Sequence, residues 1–248
     1  MEISIILKYG LVLVAGVAAG FFNVVAGGGS LITVPAMIFL GLPPVMANGT
    51  NRIAILSQNI TSVNSFRRKG YFDLKTGLIL GATASAGAFL GSSIAVELPG
   101  EIFNRILSVV MILVLLFTLF SRKREGDSDR IVKVPLLAVA FFFVGIYGGF
   151  IQAGTGFIVI AVFSLISGTS LVRINSLKVF VVMIYTIPSL LVFILNGQVE
   201  WITGIFLAVG NSLGALFGTS FTISKGEKWI KIVLTVTVSA MAVKLFFF

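Results

Sequence analysis

Apolar residues fill this chain in runs of roughly 20 separated by short polar gaps, the length an α-helix needs to cross about 30 Å of hydrocarbon. The runs fall at 4–26, 30–41, 45–66, 74–96 and 102–121, then at 134–153, 157–168, 173–195, 201–223 and 230–248. They predict five helical segments on each side of one hydrophilic stretch, Arg122 to Lys133. A membrane strand would be about half as long and would alternate apolar with polar residues, which these runs do not. The expected fold is an all-α polytopic membrane protein: a first membrane repeat at 1–121, a charged linker at 122–133 and a second membrane repeat at 134–248.

The two halves match without gaps at one offset of 127 residues, which sets Gly27 on Gly154, Gly29 on Gly156, Gly41 on Gly168, Asn48 on Asn175, Ser62 on Ser189 and Gly70 on Gly197. Farther along, Thr76-Gly77 matches Thr203-Gly204, and Ser85, Gly87, Ala88, Gly91 and Ser93 match Ser212, Gly214, Ala215, Gly218 and Ser220. Self-similarity at a fixed period marks an internal duplication. The first run then corresponds to the start of the second half and is expected as a retained helix rather than a cleaved signal peptide.

Composition places the chain in a bilayer and excludes a soluble enzyme, a secreted scaffold and a nucleic-acid module. Of 248 residues, 57% are hydrophobic and 11% charged, and the mean hydropathy is +1.10. The net charge of +9 comes from cations clustered at the ends of apolar runs, where cytoplasmic loops carry Lys and Arg; it reports orientation, with no nucleic-acid partner implied. The loop after the third run carries Arg67, Arg68, Lys69 and Lys75 against Asp73, whereas its partner near 194–202 carries Glu200. Glu97 and Glu101 precede the fifth run, whereas Lys225, Lys228 and Lys231 against Glu227 precede the tenth. Reversed signs predict halves inserted upside down relative to each other, which needs an odd number of crossings per half. The basic loops and the linker would then be cytoplasmic, with both termini outside. The chain has no Cys and no His, so disulfides, thiolate or imidazole catalysis and the usual zinc, haem or iron–sulfur sites are absent, and no cofactor is expected.

Two constellations carry the candidate chemistry. The second run of each half is only about 12 residues and is preceded by glycines: Gly27-Gly28-Gly29-Ser30 and, after Gln152-Ala153, Gly154-Thr155-Gly156. Glycine lets a helix open and turn N–H groups and a new helix N-terminus toward a ligand, and in lipid such backbone is tolerated only inside protein or around a watery cavity. Short broken helices at the midplane are therefore expected. Close packing through small residues is the competing reading. In the third runs, Asn48, Thr50, Asn51, Arg52, Gln58, Asn59 and Ser62, and in the second half Asn175, Ser176, Lys178, Tyr185, Thr186 and Ser189, are too polar to face lipid. Each half thus places a cation, Arg52 or Lys178, within the membrane, where its cost marks it as functional by default; the alternative is snorkelling or pairing with a carbonyl.

The run Gly20-Phe21-Phe22 through Gly27-Gly28-Gly29-Ser30, Pro35 and Gly41, then Ala47-Asn48-Gly49-Thr50-Asn51 and Gly70, with a second copy at Gly145 to Gly156, resembles the sulfite exporter (TauE/SafE type) family of membrane permeases over nearly the whole chain. The resemblance implies transport of sulfite, sulfonates or related sulfur-containing anions across a prokaryotic inner membrane. It also implies a substrate site at Gly27, Gly28, Gly29, Asn48, Thr50, Asn51, Arg52, Gly154, Thr155, Gly156, Asn175 and Lys178, to which the glycine run and the polar face of the third run add Ser30 and Gln58. The copies differ: Thr155 replaces the middle glycine, and Ser176-Leu177-Lys178 stands for Gly49-Thr50-Asn51.

Direction follows from energetics. The nine carboxylates all fall at termini, loops or segment ends, so the usual intramembrane proton relay is missing. An inside-negative potential favours anion efflux by roughly 2.3 kcal/mol per charge per 100 mV. An anion channel, or an uptake permease coupled to an ion such as Na⁺ held by oxygens, remains open. An enzyme is not expected: with Cys and His absent a Ser–Lys pair is the type that remains, for instance Ser176 with Lys178, and residues two apart on a helix do not face each other.

Overall fold

The computed structural model describes residues 5–120, 134–167 and 169–247; the linker 122–133 and Gly168 lie outside the described residues. These residues are helical, with no strand among them: α1 (Ile5–Val25), α2 (Ser30–Phe39), α3 (Pro44–Arg68), α4 (Leu74–Glu97), α5 (Gly100–Phe120), α6 (Val134–Phe150), α7 (Thr155–Ile166), α8 (Leu171–Leu195) and α9 (Trp201–Phe247). Gly226, at φ 69° and ψ −164°, breaks α9 into two pieces, which restores five segments to the second half. Leu7–Val25, α4, α8 and Trp201–Gly226 are long and apolar enough to cross a bilayer. Helix α3 is equally long at 25 residues, but its polar residues disqualify it as a lipid-facing span. It is buried among the other helices instead, with Asn48, Thr50, Asn51, Arg52, Gln58, Asn59 and Ser62 all covered.

The short second segments do not cross. Helix α2 has 10 residues, about 15 Å of rise, and runs back along α1. The Ser30 amide bonds to Asn23 Oδ1 at 3.3 Å, and Ala36, Met37 and Leu40 lie across a cavity from Leu11, Val12 and Ala15. Helix α7 likewise returns along α6, with the Phe163 ring 4.9 Å from that of Phe141. Each break is therefore the tip of a helical hairpin, and residues 26–29 and 151–154 are wholly buried.

Two kinds of glycine build this arrangement. In the packing kind, a stripe lets α9 press on α1: a methyl at Gly16 would meet the Leu207 carbonyl at 3.0 Å, and one at Gly20 or Gly214 would strike the backbone of Asn211 or Val17. The equivalent stripe on α4, Gly87 and Gly91, presses on the backbones of Phe142 and Ile146 in α6. The conformational kind takes positive φ, and it recurs at the offset: Gly27 (93°) with Gly154 (74°) in the breaks, and Gly70 (77°) with Gly197 (66°) after the third helices.

The equivalent helices α3 and α8 run antiparallel. Near the start of α3, Gly49 packs on Phe193 and on the Gln198 carbonyl near the end of α8. By contrast α3 and α9 run parallel, with the Glu200 amide bonded to Thr50 Oγ1 at 2.9 Å and Ser57 Oγ 2.7 Å from Ser212 Oγ. Arg67 and Arg68 therefore end up at the same end of the bundle as Lys225, and Glu97 at the other.

Candidate functional site

A helix that stops inside a bilayer leaves its last four carbonyls without intrahelical partners, and each uncompensated one costs about 1–3 kcal/mol. At the end of α1 the Phe22 carbonyl accepts from the amides of Ala26 and Gly27, both at 2.8 Å. The other three are bonded from the opposite half. Lys178 Nζ donates to Asn23 O at 3.0 Å and Val24 O at 2.8 Å, and Asn175 Nδ2 donates to Val25 O at 3.2 Å. The end of α6 repeats the pattern in reverse. Tyr147 O accepts from the Ile151 amide at 2.7 Å, Arg52 Nη1 reaches Gly148 O at 3.1 Å, Arg52 Nη2 reaches Gly149 O at 2.5 Å, and Asn48 Nδ2 reaches Phe150 O at 2.9 Å. All eight carbonyls are satisfied, and each half's third helix caps the other half's broken one. The cations also sit where the helix dipole is negative, so two charges that lipid would reject are held by oxygens without a carboxylate.

Further bonds tie the clamps into the breaks, although Arg52 Nε has no partner. Arg52 Nη1 also donates to Gln152 Oε1 at 2.8 Å, Gln152 Nε2 donates to the Tyr185 hydroxyl at 3.2 Å, and the guanidinium lies 4.5 Å from the centroid of the Phe193 ring. The third Lys178 proton goes to Asn175 Oδ1 at 2.7 Å. Ser176 Oγ has no partner, so the Ser–Lys pairing that catalysis would need is not made.

The two breaks meet. A methyl at Gly156 would run into the Gly27 backbone, and the reverse also holds. Beside this contact lies a small cavity of about 20 Å³ lined by Asn23, Gly27, Ser30, Ile55, Gln58, Asn59, Gln152, Thr155, Gly156, Lys178, Val182 and Tyr185. That is room for about one water-sized sphere. Its α3 residues, 55–59, lie at the centre of that helix, and its α8 residues straddle the centre of theirs. Lys178 is the one charged residue in the lining, and no acid borders it.

Of the fourteen residues expected at the site, six line this cavity: Gly27, Ser30, Gln58, Thr155, Gly156 and Lys178. Asn48, Arg52 and Asn175 are in the clamps behind it. Asn51 Oδ1 accepts from Thr33 Oγ1 at 2.7 Å, tying α2 to α3, and Thr50 holds the entry to α9. Gly28 packs on the ring of Phe157, Gly29 on the Ala19 carbonyl and Asn23, and Gly154 supplies the left-handed turn before α7. Sequence reasoning named Asn59 and Tyr185 as members of the polar faces and Gln152 as a neighbour of the second glycine run without placing them in the substrate site, and it missed Asn23. The available signal for Asn23 was a lone amide in an apolar helix, four residues before a glycine run.

The family model "Sulfite exporter TauE/SafE" matches residues 12–245. This chain belongs to the TauE/SafE family. It is 32% identical over 236 residues to "Probable membrane transporter protein ORF9" of Sinorhizobium sp, covering 94% of this chain and 90% of that protein. It is 28% identical over 243 residues to "Probable membrane transporter protein YfcA" of Escherichia coli K12, covering 97% and 90%. A "Probable membrane transporter protein" of Haemophilus influenzae is 29% identical over 233 residues, covering 93% and 91%. No solved structure matches the chain. The chain is thus a multi-pass membrane transporter of the TauE/SafE family.

Proposed function

We propose that this TauE/SafE transporter exports small sulfur-containing oxyanions, such as sulfite or organosulfonates, by alternating access at the cavity where the two breaks meet. The observation that carries this reading is the charge of that cavity: Lys178 is in its wall, Arg52 stands behind it and no acid faces it. In a low-dielectric interior such a field selects an anion. The amide, hydroxyl and phenol groups of Asn59, Ser30, Thr155 and Tyr185 supply hydrogen-bonding partners for oxyanion oxygens, and the glycines let backbone come close. The inverted orientation of the repeats is supported by the antiparallel course of α3 and α8 and by the gathering of Arg67, Arg68 and Lys225 at one end. On that orientation the basic end is cytoplasmic, and the membrane potential drives an anion outward. The cavity is small, about 20 Å³, which favours a carrier over a wide open channel.

The test is thermal stabilisation of detergent-purified protein by sulfite, sulfate, thiosulfate, sulfoacetate and taurine. A ligand present at about 100 times its Kd adds about 2.7 kcal/mol of apparent stability. A sulfur oxyanion should raise the melting temperature of the native chain, and Lys178→Gln should lose at least about tenfold in affinity. Equal stabilisation of Lys178→Gln, or no response to any of the anions, would sink the reading.

A further inference from the structure

Hydroxyl side chains inside an apolar helix ordinarily bond to the carbonyl one turn earlier. Several here do so: Thr61 to Ser57 O at 3.0 Å, Ser65 to Thr61 O at 3.1 Å, Ser93 to Phe89 O at 2.8 Å and Ser108 to Asn104 O at 2.9 Å. Ser62, Thr186 and Ser189, each fully buried, are three of the seven hydroxyls among the described residues that are buried without a partner, and Asn59 Nδ2 has none either. An unpaired buried polar group costs about 1–3 kcal/mol, so these four, among the seven residues of α3 and α8 with an unpartnered buried side-chain atom, need a reason.

Their positions supply one. Ile55, Asn59, Ser62 and Phe66 follow one face of α3 at helical spacing, and Val182, Thr186, Ser189 and Phe193 follow one face of α8. The two sets correspond residue for residue at the 127-residue offset. Ile55 and Asn59 line the cavity from α3, and Val182 does so from α8 beside Tyr185. Because α3 and α8 are antiparallel, the two stripes leave the cavity toward opposite ends of the bundle. Each stripe runs through two unpartnered polar groups and ends on a fully buried phenylalanine. Phe66 sits in an apolar cluster with Val63, Val172, Val179 and Ala215, while Phe193 lies against the Arg52 guanidinium.

Resting on the transport reading above, we propose that these stripes are the two halves of the anion's path: Asn59 and Ser62 shut by Phe66 toward the basic end, Thr186 and Ser189 shut by Phe193 toward the other. The unpaired hydroxyls and amide then donate to oxyanion oxygens in passage, and the two phenylalanines are the gates, both closed in this structure.

The chain has no cysteine, so single cysteines can be read without background. Ser62→Cys and Ser189→Cys would be exposed, in membrane vesicles of each orientation, to an anionic, membrane-impermeant methanethiosulfonate. Lys69→Cys and Asn196→Cys mark the two faces. Phe66→Ala should accelerate labelling of Ser62→Cys at least about tenfold from the Lys69 face, leaving Ser189→Cys unchanged. Phe193→Ala should do the same for Ser189→Cys from the Asn196 face. Phe66→Leu and Phe193→Leu, with melting temperatures recorded, serve wherever an alanine variant does not fold. Unaccelerated labelling in folded gate variants, or labelling of both serine positions from one face, overturns the proposal. Labelling needs no bound anion, so this result stands apart from the stabilisation screen: failure there removes the anion assignment, and failure here removes the path.

Discussion

The two clamps do the same work with different residues, and the difference separates structure from recognition. Asn48 and Arg52 are four apart on α3; Asn175 and Lys178 are three apart on α8. Each pair caps three carbonyls of the other half's broken helix. Arg52 bridges adjacent carbonyls with its planar fork, adds Gln152 and lies on Phe193, away from the cavity lining. Lys178 uses all three protons on two carbonyls and Asn175, yet still borders the cavity. Both cations are helix caps first. On the proposed anion reading, Arg52 would add a fixed field from behind the cavity, whereas Lys178 borders the space where an anion would draw its ammonium from the carbonyls. The exchange also makes the halves interdependent, since either one alone would leave three carbonyls bare in lipid.

The comparison breaks most sharply if the caps are removed. Arg52→Met leaves two carbonyls and Gln152 Oε1 without donors, and at about 1–3 kcal/mol per group the folded state should lose at least about 3 kcal/mol. Arg52→Lys should recover part of this, because an ammonium offers three donors but no planar fork. Lys178→Met should cost a similar amount of stability and abolish the anion-induced shift as well. The check is melting temperature in detergent, with and without a stabilising anion. If Arg52→Met melts like the native chain, the clamp is not structural, and Arg52 returns to consideration as a direct ligand.

Much of this architecture was legible because it rests on local signals. The glycine runs showed where α1 and α6 stop, the polar face showed that α3 cannot face lipid, and the offset extends to features not read at first. Asp73 and Glu200 entered only as loop charges, yet they correspond at 127 residues and cap α4 and α9. The partners of the cations were not legible. Arg52 and Lys178 bond to main-chain carbonyls, which any residue carries, on a segment about 100 to 150 positions away. No side-chain pattern marks that choice. The choice between close packing and an opened backbone for the glycines was a matter of three-dimensional contact for the same reason: the backbone turns at Gly27 and Gly154, whereas Gly28 and Gly29 pack closely on Phe157 and on Ala19 and Asn23.

A smaller effect separates two glycines of the breaks. A methyl at Gly156 would meet the backbone of Gly27, which no rotamer change can clear, whereas one at Gly28 would meet the tip of the Phe157 ring, a side chain that can turn aside. Overpacking against fixed atoms costs about 1–3 kcal/mol. Gly156→Ala should therefore part the two breaks and remove flux along with stability, while Gly28→Ala should leave flux within about a factor of two or three. Flux and melting temperature must be measured on the same preparations. Equal behaviour of the two variants would show that the meeting of the breaks is not what shapes the site.

The smallest expected difference lies at the starts of α4 and α9. The Asp73 carboxylate accepts one amide, from Thr76 at 3.1 Å, in an exposed turn. Glu200, half-buried, accepts two, from Ile202 at 3.2 Å and Thr203 at 2.6 Å. Removing an N-cap side chain costs about 1 kcal/mol, and a carboxylate there also meets the positive end of the helix dipole. Glu200→Ala leaves two donors uncovered where water has less access, so it should lower the melting temperature by about 2–4 °C; Asp73→Ala should lower it by less. Neither change touches the cavity, so anion-induced stabilisation should persist in both. If Asp73→Ala proved the more damaging, burial of the cap would not be what distinguishes the two ends, and the 69–73 turn would hold the first half together more firmly than its single side-chain bond to an amide suggests.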